Sequence, residues 1–192
     1  MDKEEQARPS SRVSHLLALG CASVAAFGLN TAVVHAEPGT RGTGTEKFDR
    51  QMAPILNQYL GIGSALSADS FDGVREKAES IAKLAGGLDS ASVSGEHAAH
   101  YKNVPANLKK SAQALSKAQS LEGARESFKQ LSKPMAMWVT MSKPKNIDVL
   151  YCSMAKGSWV QKRGKVSNPY YGPKMLECGE IMGGEGSEND KQ

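Results

Sequence analysis

Between Thr45 and Met141, apolar residues return every three or four positions in four successive stretches, and this period most restricts how the 192-residue chain can fold. In the first, Phe48, Met52, Ile55, Leu56, Tyr59, Leu60, Ile62 and Leu66 make one stripe over about 46–67, despite Pro54, Gly61 and Gly63. The second covers about 69–88, with Asp69 as the N-cap candidate and Phe71, Val74, Ala78, Ile81, Ala82, Ala85 and Leu88 on its apolar side. Gly86 and Gly87 weaken its end. Residues Asp89 to Asn103 read as turn-rich. A third helix over 105–119 puts Pro105 in the first turn and Leu108, Ala112 and Leu115 inward. Ser120 caps a fourth over 121–141, which carries Leu121, Ala124, Phe128, Leu131, Met135 and Trp138, with Pro134 as a kink. No helix buries its own stripe, so four of them on short connections predict a mainly α fold, an antiparallel four-helix bundle.

After Lys143-Pro144-Lys145-Asn146 the texture changes. Ile147, Val149, Tyr151 and Trp159-Val160 predict short extended pieces, and Asn168-Pro169-Tyr170-Tyr171-Gly172-Pro173 predicts a turn. The helical domain, 46–182, therefore carries a small irregular or β C-terminal extension over 147–182. The Gly- and acid-rich stretch 183–192 reads as a disordered tail.

Upstream, Leu16 to Val34 contains no charged residue, follows Arg12, and ends in Val34-His35-Ala36 before Glu37-Pro38-Gly39. This is the pattern of a signal peptide over 1–36 with cleavage after Ala36, followed by a flexible Gly/Thr linker over 37–45. The expectation is a periplasmic or otherwise exported protein with no stable membrane span after processing. Two alternatives stay open: a retained membrane anchor formed by 16–34, close to the ~20 residues a span needs, and lipidation at Cys21. The net charge of +4 comes from Lys and Arg spread along the chain, and aromatic residues make up only 6%, so no base-stacking platform for nucleic acid is indicated.

Beyond the signal segment two cysteines remain, Cys152 and Cys178, each close to a methionine. Outside the cytoplasm two cysteines commonly pair, and closing the loop between them would contribute about 3 kcal/mol on the chain-entropy account. Alternatively, Cys152-Ser153-Met154 and Met175-Leu176-Glu177-Cys178 offer two thiolates and two thioethers that a turn could bring together. Soft sulfur donors select Cu(I) or Ag(I) over hard cations. The candidate metal ligands are thus Cys152, Met154, Met175 and Cys178, and the alternative is a Cys152–Cys178 disulfide. Met135, Met137, Met141 and Met182 read mainly as core fillers, although Met137 and Met141 share a helix face from which one thioether could be supplied. His97 and His100 form an i, i+3 pair that reads as solvated.

The run Tyr151-Cys152-Ser153-Met154-Ala155, then Trp159 and Gln161, then Val166 to Gly172, and finally Met175 to Ile181 resembles an uncharacterised bacterial periplasmic domain family. That family occurs alone and fused to the periplasmic adaptor of copper/silver RND efflux systems, with a signature similar to HCPMA…W…NPYYG…ML-CGEI. Upstream, Tyr59-Leu60, Ala65-Leu66, Asp69, Ala124, Phe128 and Leu131 look like its helical part. The resemblance implies a helical exported domain that handles copper or related metals, with Cys152, Met154, Met175 and Cys178 at matching positions. Tyr151 stands where His is common and Ser153 where Pro is common, which leaves a sulfur-only donor set.

Two readings follow: a soft-metal accessory protein acting with a metal ion and an efflux adaptor or other periplasmic protein, or a disulfide-stapled helical interaction module without metal. An enzyme is not expected, because the chain has no nucleophile elbow, HExxH motif or phosphate loop.

Overall fold

The computed structural model describes residues 43–184, and the expected signal segment, residues 37–42 of the linker and residues 185–192 of the tail lie outside them. Four helices, α1 (Thr43–Ser67), α2 (Val74–Ala85), α3 (Ala98–Ser116) and α4 (Leu121–Ser142), precede three strands, β1 (Ile147–Cys152), β2 (Gly157–Lys162) and β3 (Glu180–Gly184). The fold is mainly helical. Each helix packs on the next in chain order, and α1 also meets α4. The buried stripe consists of Phe48, Met52, Ile55, Tyr59, Ile62 and Leu66 on α1 and Ala124, Phe128, Leu131, Met135 and Trp138 on α4, as the helical period requires.

The boundaries differ from the sequence pattern where tertiary contacts decide them. Helix α1 takes in Thr43, Gly44 and Thr45 of the expected linker, because Gly44 lies against the Ser92 carbonyl so closely that a Cβ would overlap it. Asp69 does not cap α2. It sits at φ 56° in the connection and binds Arg125, and Gly73 at φ 66° precedes the helix instead. Helix α3 already starts at Ala98, so Tyr101, expected in the turn-rich stretch, and Val104, just ahead of the expected start, are buried helical residues and Pro105 is internal. Tyr101 provides the reason: its ring packs edge-on against Phe48 at 5.1 Å and its hydroxyl bonds Ser142 at 2.8 Å. Ser120 does cap α4, accepting the Gly123 N–H at 3.1 Å. Pro134 is inside α4 and buried, and among the described residues no helix is long and apolar enough to cross a membrane.

The strands form one antiparallel sheet in the order β2-β1-β3. Leu150 faces Trp159 on β2 and Ile181 on β3, and the β1–β3 register shifts between Val149 and Leu150. Gly183 and Gly184, expected in a disordered tail, pair with Val149 and Asp148. Met182 is not a core filler: it stands 63% exposed on this edge strand.

The sheet packs on α4 and α1, and one hydroxyl chain joins the two layers. Tyr59 on α1, fully buried, accepts the outward-facing Val160 N–H of β2 at 3.1 Å and shares a 2.7 Å bond with Ser132 on α4, which donates to the Phe128 carbonyl at 2.9 Å. The Tyr170 hydroxyl donates to the Ser158 carbonyl on the same strand. These tyrosines cover backbone groups that an edge strand would otherwise present to another chain.

Candidate functional site

Cys152 ends β1, opposite Gly157 of β2, and Cys178 lies on the irregular segment between a short 3-10 turn (Gly172–Met175) and β3. The fold brings them together. Their Sγ atoms are 2.7 Å apart, both are free thiols, and Cys152 is 1% exposed whereas Cys178 is partly exposed.

The segment Asn168–Gly172 does more than turn the chain. Asn168, fully buried, donates through Nδ2 to the Cys178 carbonyl at 2.7 Å and accepts the Tyr170 N–H at 2.8 Å, while its own N–H reaches the Leu176 carbonyl at 2.8 Å. Tyr171 donates to the Met154 carbonyl at 3.2 Å. One five-residue motif therefore holds both cysteine-bearing segments, and its tyrosines are structural ties as well as cover. It is fastened to the bundle by Arg125, whose Nε donates to the Pro169 carbonyl at 3.0 Å and whose Nη2 donates to the Leu66 carbonyl at 2.8 Å and binds Asp69. Gly172, at φ 58°, is pressed against Asp69 and Arg125, so a side chain is both strained and obstructed there.

Trp159 forms the floor beside the pair. It is buried, donates to Gln161 Oε1 at 3.0 Å and meets Tyr170 edge-on at 5.9 Å. Gly179, next to Cys178, lies flat on this indole, where a Cβ would collide with Trp159 and touch Val166. The absence of a side chain at Gly179 lets Cys178 come close to Cys152. Gln161 also accepts the Ser167 N–H at 3.0 Å and donates to the Lys165 carbonyl at 3.0 Å, closing the loop after β2.

The thiols are electrostatically unequal. Burial pushes the Cys152 thiol up, but the hydrogen bond from Cys178 and the backbone N–H groups of Ala155 and Met154 outweigh it and hold Cys152 below the usual thiol range. Cys178 is pushed up, first because its hydrogen is the one shared with Cys152 and then by desolvation. The pair therefore loses its first proton readily and holds the second.

The candidate thioethers fall on the two segments that carry the thiols. Met154, in the β1–β2 turn, is 62% exposed, and Met175 is partly buried. Met137 and Met141 pack against the hydrophobic core, and Met135 is inside it. His97 and His100 are exposed at the start of α3 with ring centroids 6.3 Å apart. Among the described residues no three His, Cys, Asp or Glu side chains converge as a site for a harder cation would need. The two thiols are soft donors, of the class that prefers Cu(I) or Ag(I) to harder cations. With metal–sulfur bonds of about 2.3 Å, two thiolates on one tetrahedral ion stand roughly 3.8 Å apart, so the thiols must separate by about 1 Å to admit it.

The profile of a family described as "Protein of unknown function (DUF3347)" matches residues 55–146. That span covers the helices from within α1 to the turn before β1 and stops short of both cysteines. No curated protein and no solved structure matches the chain.

Proposed function

We propose that this protein is a soft-metal accessory protein of the periplasm or an equivalent exported compartment, binding Cu(I) or Ag(I) through the thiolates of Cys152 and Cys178 and the thioethers of Met154 and Met175. The observation that carries the reading is the convergence of two free thiols, one favoured as the anion, on segments that each bear a methionine. A metal accessory role in efflux or homeostasis, with an efflux adaptor or another periplasmic protein as receiver, agrees with the likeness of residues 151–181 to the adaptor-linked domains. The helices are read as an antiparallel up-and-down bundle, consistent with their short connections, serving as a scaffold without catalytic activity.

A second reading, a disulfide-stapled helical interaction module without metal, is favoured by the 2.7 Å separation of the thiols, which leaves no room for an ion until they part. Titration of Ag(I) or Cu(I) into the reduced chain against a chromophoric chelator separates the two. The metal reading expects one equivalent bound tightly, lost in Cys152→Ser and Cys178→Ser and weakened in Met154→Leu. Failure of the reduced chain to compete with the chelator sinks it and leaves the stapled module.

A further inference from the structure

Two thiols whose sulfurs lie 2.7 Å apart can be oxidised to a disulfide, and the surroundings of the two sulfurs differ in a way that sets how such a bond would react. Exchange proceeds by in-line attack of a thiolate on one sulfur while the other leaves, so the attacked sulfur needs an open approach and the leaving one needs stabilisation. Cys152 is 1% exposed at the end of the central strand, and its Sγ accepts the Ala155 N–H at 3.4 Å. Cys178 is partly exposed on a segment outside the regular ladder, which Asn168 holds through the Cys178 main-chain carbonyl.

We propose that the Cys152–Cys178 pair is a thiol–disulfide exchange centre in which external thiols attack Cys178 and Cys152 is the sulfur that leaves. In reduction, an external thiolate bonds to Cys178 Sγ, the Cys152–Cys178 bond breaks, and its electron pair departs with Cys152, which rests on the Ala155 N–H. A second external thiolate then attacks the external sulfur of the mixed disulfide. This releases Cys178 as thiolate and yields one external disulfide for one protein disulfide reduced. Oxidation by a low-molecular-weight disulfide runs the same steps backwards, with Cys178 as the first nucleophile and Cys152 as the resolving one. The inference rests on the soft-metal reading for its consequence: only the reduced pair offers thiolate ligands, so exchange at Cys178 switches the site between metal-competent and closed forms.

The test uses the full chain carrying Cys21→Ser, so that only the pair reports, and no metal. Oxidised protein is mixed with reduced glutathione, quenched in acid at short times, alkylated and mapped. Glutathione on Cys178 in at least about tenfold excess over Cys152 is expected from the difference in access. Equal labelling, labelling on Cys152, or no mixed disulfide at all overturns the proposal. With oxidised glutathione and the reduced protein, Cys152→Ala should accept glutathione at Cys178 at least about ten times faster than Cys178→Ala accepts it at Cys152. The mapping on the chain that keeps both Cys152 and Cys178 decides the question even if either variant fails to fold. Ag(I) uptake by the reduced chain is measured separately: selective exchange without uptake removes the metal reading alone, and uptake without selective exchange removes the exchange centre alone.

Discussion

Replacing Tyr59 with Phe removes a single oxygen and breaks the bond between the bundle and the sheet. The ring stays stacked on Phe128 at 4.7 Å, so no apolar contact is lost. What changes is the hydroxyl chain. The Val160 N–H loses the Tyr59 hydroxyl to which it donates, and Val160, Tyr59 and Ser132 are all buried, so bulk water cannot replace it. Ser132 keeps its own donation to the Phe128 carbonyl. Leaving one buried amide unpaired costs about 1–3 kcal/mol, so Tyr59→Phe should destabilise the protein by roughly 2 kcal/mol. Ser132→Ala should cost about 1 kcal/mol by depriving the Tyr59 hydroxyl of its partner. Because the two changes break one shared bond, the double variant should fall short of their sum by about 0.5 kcal/mol or more. Urea unfolding supplies the free energies, and hydrogen exchange at the Val160 amide reports the bond directly, with protection expected to drop in Tyr59→Phe. A Tyr59→Phe change under about 0.5 kcal/mol with unchanged Val160 protection refutes the reasoning.

Gly179→Ala should destabilise the fold by about 1–3 kcal/mol through overpacking, since Trp159 is held by Gln161 and Tyr170 and cannot turn aside. It should also slow formation of the Cys152–Cys178 bond; disulfide formation at the wild-type rate would show that Gly179 does not govern their approach. Alkaline pH should loosen the sheet from the bundle. Burial, chiefly, raises the phenols of Tyr59 and Tyr170 above their usual value of about 10, so the fold keeps their protons after the unfolded chain releases them. Their contribution is fully present below that value and is lost as pH rises beyond it, by about 1.4 kcal/mol per pH unit for each phenol. Urea midpoints between pH 9 and 11 should fall less steeply in Tyr59→Phe than in wild type; identical slopes would contradict the assignment.

Much of the bundle was legible in the sequence because a helix announces itself locally. Phe48 to Leu66 and Ala124 to Trp138 repeat with the helical period, and the structure buries those residues. Ser120 could be recognised as a cap because capping is a bond between near neighbours, whereas Asp69 has the same capping chemistry and its carboxylate is taken instead by Arg125, far along the chain. The start of α3 was invisible for a similar reason: Tyr101 is helical and buried because Phe48 and Ser142 receive it, and neither is near it in sequence. At the site, the cysteine and methionine residues could be picked out by type. Asn168, Gly179 and Tyr59 could not, since their roles depend on which backbone carbonyl, indole or amide the fold lays beside them.

The sequence by itself determined the helices and their order, the extended texture after Lys145 and the soft chemistry of the C-terminal segment, because periodicity, capping and donor type act over a few residues or within one side chain. The tertiary structure alone decided that Cys152 and Cys178 meet, that one is enclosed and the other open to solvent, and that Asn168 and Tyr171 hold both segments. Those are relations between residues far apart in the chain, and they arise only when the buried stripes and the edge strand find their partners.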